Sequence, residues 1–165
     1  MNTVYLIIGG NLGDRIKNLH EAILRIETVV GKISQTSAVF ETSAWGFTEQ
    51  PAFLNQVIEV PTPLSAPEVL QAVLGIELEM GRIRITKLGP RNIDIDLLFY
   101  NDEVITSPNL QIPHPDLHNR RFVLVPLAEL APQLIHPVLN KTIIELLHEC
   151  PDLLEVRKYE ADFLD

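Results

Sequence analysis

The chain has 165 residues, 46% of them hydrophobic and 21% charged, with 22 acidic against 13 basic side chains and a formal charge of −9. That size and composition suit one globular domain, residues 1–165, with its own core, and the acidic balance argues against a nucleic-acid partner, which needs a broad basic surface. No apolar run reaches the roughly 18 residues of a membrane helix, Met1-Asn2-Thr3 lacks the basic start of a signal peptide, and a lone Cys150 cannot form an internal disulfide, so a soluble cytoplasmic protein without a membrane partner is expected.

Residues 3–8 read as a first strand and Gly9-Gly10-Asn11-Leu12-Gly13 as a loop. Asp14 can cap the helix that follows, whose apolar positions Ile16, Leu19, Ile23, Ile26 and Val30 recur at helical spacing before a stop at Gly31. Residues 32–41 read as a second strand, 43–52 as a loop holding Trp45, Gly46, Phe47 and Pro51, and 53–60 as a third strand broken by Pro61 and Pro63. Ser65-Ala66-Pro67-Glu68 is a capping box with proline in the first turn. Val69, Leu70, Val73, Leu74, Glu77 and Leu78 carry that helix to a stop near Gly81. A fourth strand covers residues 93–100, short extended pieces cover 103–105 and 109–113, and short helices cover 120–130 and 142–150. The first hundred residues therefore read β-α-β-β-α-β. This is the split βαβ, ferredoxin-like order: an α+β fold, an antiparallel sheet with helices on one face, and here short C-terminal helical additions.

Residues 87–98 carry the chemistry. Gly89-Pro90 is a turn signal, Arg91 follows it, and Ile93-Asp94-Ile95-Asp96 alternates before the strand becomes continuously apolar. Side chains alternate faces along a strand, so Asp94 and Asp96 share one face about 7 Å apart along it. Two carboxylates that close repel each other unless a cation sits between them. A hard divalent ion such as Mg²⁺, bound by one or two carboxylates plus phosphate oxygens, is the natural neutraliser. Residues 80–91 hold Arg82, Arg84, Lys87 and Arg91 and no acidic residue, a basic run on an acidic chain. Arginine grips phosphate bidentately, so the run and the carboxylates together read as an anion-plus-metal site. The alternative for the aspartates is a solvated sheet face.

Gly89-Pro90-Arg91-Asn92-Ile93-Asp94-Ile95-Asp96-Leu97-Leu98 resembles the signature of the 6-hydroxymethyl-7,8-dihydropterin pyrophosphokinase family of folate biosynthesis. Tyr5-Leu6-Ile7-Ile8-Gly9-Gly10-Asn11-Leu12-Gly13, Thr42, Gln50-Pro51-Ala52-Phe53-Leu54-Asn55, Glu77 with Gly81-Arg82-Ile83-Arg84, Pro113-His114-Pro115-Asp116 and Asn119-Arg120-Arg121-Phe122 resemble its other segments in order, over nearly the whole chain.

The resemblance implies transfer of the β,γ-pyrophosphoryl unit of ATP to the hydroxymethyl oxygen of the dihydropterin, with release of AMP. It implies two Mg²⁺ ions on Asp94 and Asp96, catalytic roles for Arg82, Arg91, Asp94 and Asp96, and ATP contacts from Glu77, Arg82, Arg84, Lys87, Arg91, His114 and Arg120. Arg84 and Lys87 would lie on a loop over the nucleotide. Thr42, Trp45, Phe53, Asn55 and Phe122 would bind the pterin. Phe122 with Phe53 or Trp45 can sandwich a flat ring, and Asn55 offers both a donor and an acceptor to a mixed edge. A monomer acting on small molecules is expected. Three positions depart from the family pattern: Phe53 stands where tyrosine is frequent, Leu88 where tryptophan is common, and Pro115 where some members carry an aromatic residue. Without the resemblance, Phe53 and Phe122 would read as core and His114 as a structural histidine. His114 and His118 have the four-residue spacing of a zinc pair, but the flanking prolines disfavour a regular helix there.

Overall fold

Val4, Leu6 and Ile8 lie on one side of the first strand and Tyr5 and Ile7 on the other. A strand apolar on both faces needs cover on both, and in the computed structural model, which describes residues 1–43, 51–81 and 91–160, helices supply it on each side. The strands are β1 (Asn2–Gly10), β2 (Gln35–Thr36), β3 (Phe40–Thr42), β4 (Phe53–Thr62), β5 (Asp94–Tyr100), β6 (Ile105–Thr106), β7 (Gln111–Ile112) and β8 (Val156–Lys158). The helices are α1 (Arg15–Val29), α2 (Ala66–Glu79), α3 (Arg121–Leu130) and α4 (Ile143–Glu149), with a 3-10 turn at Leu117–Asn119.

The main sheet runs β5-β1-β4-β3-β8, with β2 also on β4, and every described pairing in it is antiparallel. Leu19, Ala22 and Ile26 of α1 and Val69, Val73 and Ile76 of α2 pack on the Val4, Leu6 and Ile8 face. This is the ferredoxin-like core. Val123, Leu124 and Leu127 of α3 and Ile143 and Leu146 of α4 cover the Tyr5 and Ile7 face, so the C-terminal additions turn a one-sided sheet into a three-layer structure. The caps foreseen for the first two helices form: the Asp14 carboxylate accepts from the Lys17 amide at 3.1 Å, and Ser65 and Glu68 close a reciprocal capping box.

Three local features differ from the periodic reading. The expected second strand is split, because the Ser37 hydroxyl accepts from the Val57 amide at 3.0 Å where a backbone carbonyl would otherwise do so. Strand β4 continues through Pro61 to Thr62. The pairing with β2 ends at Glu59, so the missing amide of Pro61 interrupts no ladder on that side. Strand β8 was not expected; it pairs with β3 and extends the sheet.

Candidate active site

The register of three strands builds the floor of the site. Gly9 of β1 lies opposite Asn55 of β4 and opposite Asp94 of β5, and Ile7 lies between Val57 and Asp96 in the next row on that face. A Cβ at Gly9 would sit 2.1 Å from Asn55 Oδ1 and 2.6 Å from the Leu54 carbonyl oxygen, so only glycine lets the amide lie over the middle strand. On β5 the register slips between Leu97 and Phe99 against Leu6 and Tyr5, leaving Leu98 as a bulge. Its carbonyl accepts from the His114 amide at 3.0 Å and so seats the following Pro113–Pro115 segment beside the strand. The Ile112–Pro113 peptide is cis.

Above this floor opens a cavity of about 680 Å³. Asp94 and Asp96 line it from one face of β5, as the alternation predicts, together with Arg91, Thr42, Phe53, Asn55, His114, Arg120 and Phe122. Nine of the fourteen sequence-predicted site residues therefore converge on one space. Arg82, Arg84, Lys87 and Trp45, as well as Leu88 and the Gly89-Pro90 turn, lie outside the described residues. Glu77 is placed elsewhere. It is 3% exposed under the sheet, and its carboxylate accepts from the Ile95 amide at 2.7 Å, between the two aspartates.

Part of the cavity lining is charged. Arg91 Nη1 lies 3.3 Å from Asp94 Oδ2, and both side chains are largely buried. The Arg91 backbone is clamped by Asn11: its amide donates to Asn11 Oδ1 at 3.0 Å, and its carbonyl accepts from the Asn11 and Leu12 amides at 2.9 and 3.1 Å. Asn11, buried and also donating to the Pro51 carbonyl, is a fastener the sequence reading passed over. Arg120 pairs with Asp116 at 3.6 Å. Burial, and then the Arg120 guanidinium, push the His114 imidazole below its ordinary range, against opposing pulls from Asp116 and Asp94. His114 is thus neutral at pH 7 in this state. Among the described lining residues four carboxylates (Asp94, Asp96, Asp116 and Asp152) face two guanidiniums.

The same lining offers rings for a flat ligand. Phe53 and Phe122 both line the cavity, with the Arg91 guanidinium 5.5 Å from the first ring and that of Arg120 5.9 Å from the second. Thr42 lies opposite Phe53 on β3, and its Oγ1 is buried without a partner among the described residues. Asn55 is 8% exposed beside it. A buried hydroxyl without a partner costs free energy that a bound polar edge would restore. Pro151, Asp152 and Leu154 form a further wall that the sequence reading did not include. No motif announces them; only the pairing of β8 brings that segment back to the site.

The donor set fits a hard divalent cation. Asp94 and Asp96 offer carboxylate oxygens on one rigid face. Among the described residues no cluster of three or more His, Cys, Asp and Glu could hold a metal alone. Two carboxylates with the remaining positions left to phosphate and water is the Mg²⁺ pattern rather than the zinc one.

Fold and cavity together define a class: an α+β domain that sets paired carboxylates and arginines beside an aromatic slot in one pocket, the layout for joining a polyphosphate to a planar ring compound. The model of the 7,8-dihydro-6-hydroxymethylpterin-pyrophosphokinase family matches residues 5–132, and the chain belongs to that family. It is 44% identical over 149 residues to the 2-amino-4-hydroxy-6-hydroxymethyldihydropteridine pyrophosphokinase of Aquifex aeolicus, covering 90% of this chain and 92% of the relative. It is 41% identical over 141 residues to the folic acid synthesis protein FOL1 of Dictyostelium discoideum, covering 86% of this chain but 21% of that longer one. Among solved structures, the Plasmodium falciparum HPPK-DHPS with pterin and p-hydroxybenzoate superposes with a TM-score of 0.72 at 21% identity, covering 90% of this chain and 41% of that one, a likeness of fold.

Proposed function

We propose that the cavity transfers the β,γ-pyrophosphoryl group of ATP to the hydroxymethyl oxygen of 6-hydroxymethyl-7,8-dihydropterin and releases AMP. Family membership makes the chain a pyrophosphokinase that uses ATP and hydroxymethyldihydropterin in folate biosynthesis. The finer reading rests on one observation: the Asp94–Gly9–Asn55 row sets the carboxylates and the ring-edge amide on the two strands that flank β1, across one cavity floor.

The pterin lies between Phe53 and Phe122, with its polar edge on Asn55 and the Thr42 hydroxyl, so the hydroxymethyl group points toward Asp94 and Asp96. The oxygen attacks the β-phosphorus, a new P–O bond forms, the bond to the α-phosphate oxygen breaks, and that electron pair leaves on AMP. Asp96 accepts the hydrogen bond of the attacking hydroxyl and takes its proton as the new bond forms. Arg91, Arg120 and His114 hold the phosphates, and Arg82, Arg84 and Lys87 add to them. Such a reaction needs positioning and charge neutralisation more than covalent help. Asp94 and Asp96 would hold two Mg²⁺ ions, which supply charge neutralisation across the phosphates. The two carboxylates on one face of β5, close enough to repel each other unless a cation sits between them, support this. The chain would act as a single-domain monomer in the cytoplasm, on small molecules and not on nucleic acid.

The test is a product assay with ATP, Mg²⁺ and the dihydropterin, with AMP and ADP separated by chromatography. AMP that requires both pterin and Mg²⁺, and that falls on the order of a thousandfold in Asp96→Ala, is expected. ADP, or AMP formed without pterin, would overturn the assignment.

A further inference from the structure

Helix α3 carries the cavity residues Phe122 and Val123 and begins just after Arg120, yet it has no cap of its own. Arg120 occupies the N-cap with an extended backbone, and its side chain caps nothing. The first amides of a helix need acceptors, which a cap normally supplies within the same segment. Here the acceptor comes from 31 residues further along: Asp152 Oδ2 accepts from the Arg121 amide at 3.0 Å. The other oxygen, Oδ1, accepts from the Leu154 amide at 3.0 Å and fixes the carboxylate in its own turn.

The Asp152 segment is anchored at both ends. Before it, α4 packs its Ile143 and Leu146 in the core with α3. After it, Val156 of β8 lies opposite Thr42, and the Tyr159 amide donates to the Val39 carbonyl at 2.8 Å. Lys158 adds an ion pair to Glu129 of α3 at 3.2 Å. Pro151, Asp152 and Leu154 all face the cavity. The segment lies wholly beyond residues 5–132, where the family model matches.

We propose that Asp152 is a positioning residue for both substrates. Its carboxylate holds the Arg121 amide, and Arg121 stands between Arg120, on the phosphate side, and Phe122, on the ring side. Through that one peptide the C-terminal segment sets the guanidinium and the aromatic face at the same time. A cap that served only stability would leave substrate affinity alone; this one ties the start of α3 to the wall of the pocket. The proposal rests on the reading of the cavity as the pyrophosphoryl-transfer site, and the wild-type arm of the test checks that reading separately.

The experiment measures KM for ATP, KM for the dihydropterin, kcat and Tm for wild type, Asp152→Ala, Asp152→Asn and the control Leu153→Ala, whose side chain is 90% exposed. Pterin-dependent AMP from wild type must come first; its absence strikes the reading of the site and not the cap. Asp152→Ala should raise both KM values about tenfold, the size of a lost cap expressed as affinity, with kcat changed less. Asparagine keeps one acceptor oxygen for the Arg121 amide but loses the one that meets the Leu154 amide, so it should recover most of the rise, with both KM values within about threefold of wild type. Leu153→Ala should match wild type. If Asp152→Ala does not fold, Asp152→Ser, whose hydroxyl is too short to span the same gap, takes its place with the same expectations. A lowered Tm with both KM values unchanged, or an Asp152→Asn variant as impaired as the alanine one, would overturn the proposal.

Discussion

Gly9→Ala is the sharpest perturbation of the cavity floor. The added methyl carbon would lie 2.1 Å from Asn55 Oδ1, 2.9 Å from Asn55 Cγ and 2.6 Å from the Leu54 carbonyl oxygen. The Asn55 side chain can rotate away, but the Leu54 carbonyl belongs to β4, in ladder with β1 from Asn2 to Gly10, and cannot. Relief therefore requires both displacement of the ring-edge amide and a shift of one strand against the other. Overpacking of this kind costs about 1–3 kcal/mol, which for a chain of this size lowers Tm by about 3–10 °C. Loss of the Asn55 contacts raises the pterin KM about tenfold or more, while the KM for ATP changes little. The natural control is Gly75→Ala: Gly75 sits exposed in α2, and an added Cβ meets nothing within 4 Å. That substitution should stabilise by about 0.5–1 kcal/mol through helix propensity alone. Thermal denaturation and the AMP assay on both variants decide the matter. A Gly9→Ala protein with wild-type Tm and a pterin KM within about twofold of wild type would refute the account of the floor.

Two further outcomes follow from buried groups. Glu77→Ala removes the acceptor of the Ile95 amide, a loss of about 1–3 kcal/mol, and loosens β5 between the two aspartates, so kcat should fall more than either KM rises; Glu77→Gln keeps an acceptor oxygen and should retain most of the activity, and an alanine variant with wild-type Tm and kcat would sink this reading. His114 is held below its ordinary range by burial and Arg120, so the unfolded chain takes up its proton first as pH falls, and the stabilising contribution present at neutral pH begins to be lost as pH drops below about 6.5 and goes on falling until the folded imidazole is protonated too. Tm measured from about pH 7.5 down to about pH 5.5 should therefore decline more steeply in wild type than in His114→Gln; parallel curves would contradict the assignment.

The parts of the molecule that were legible are those governed by local periodicity. Asp94 and Asp96 share a face because strands alternate, and that face is the cavity. The Asp14 and Ser65 caps lie where their spacing placed them. What was not legible depends on partners far apart in sequence. The break at Ser37 follows from a side-chain hydroxyl meeting the Val57 amide on another strand. Glu77 has the spacing of a helix face that could reach a ligand, and only the packing of α2 against β5 turns its carboxylate onto the Ile95 amide. The apolar alternation of β1 states that both faces are covered, yet it cannot say that α3 and α4 provide the second cover. Asp152 reads as an ordinary polar residue near a proline until β8 folds back along β3.

These two kinds of position divide the chemistry as well. Asp94 and Asp96 on β5 and Asn55 on β4 flank Gly9 on β1, each strand about 4.8 Å from the next, and the two ladders hold their spacing without help from side chains. Arg120, Phe122 and His114 come from connections and a helix start, where each depends on a specific clamp: the Asp152 carboxylate for the first two and the Leu98 carbonyl for the third. A reaction run by positioning and electrostatics is sensitive at the floor to displacements that change the attack geometry, and at the walls to displacements that change occupancy. Damage to the floor should therefore appear chiefly in kcat where it moves the aspartates, and damage to the walls chiefly in KM. Glu77→Ala and Asp152→Ala each remove a carboxylate that accepts from backbone amides, one beneath the floor and one in the wall, so comparing their kcat and KM values tests that division directly: the same pattern in both variants would mean that floor and walls move as one unit.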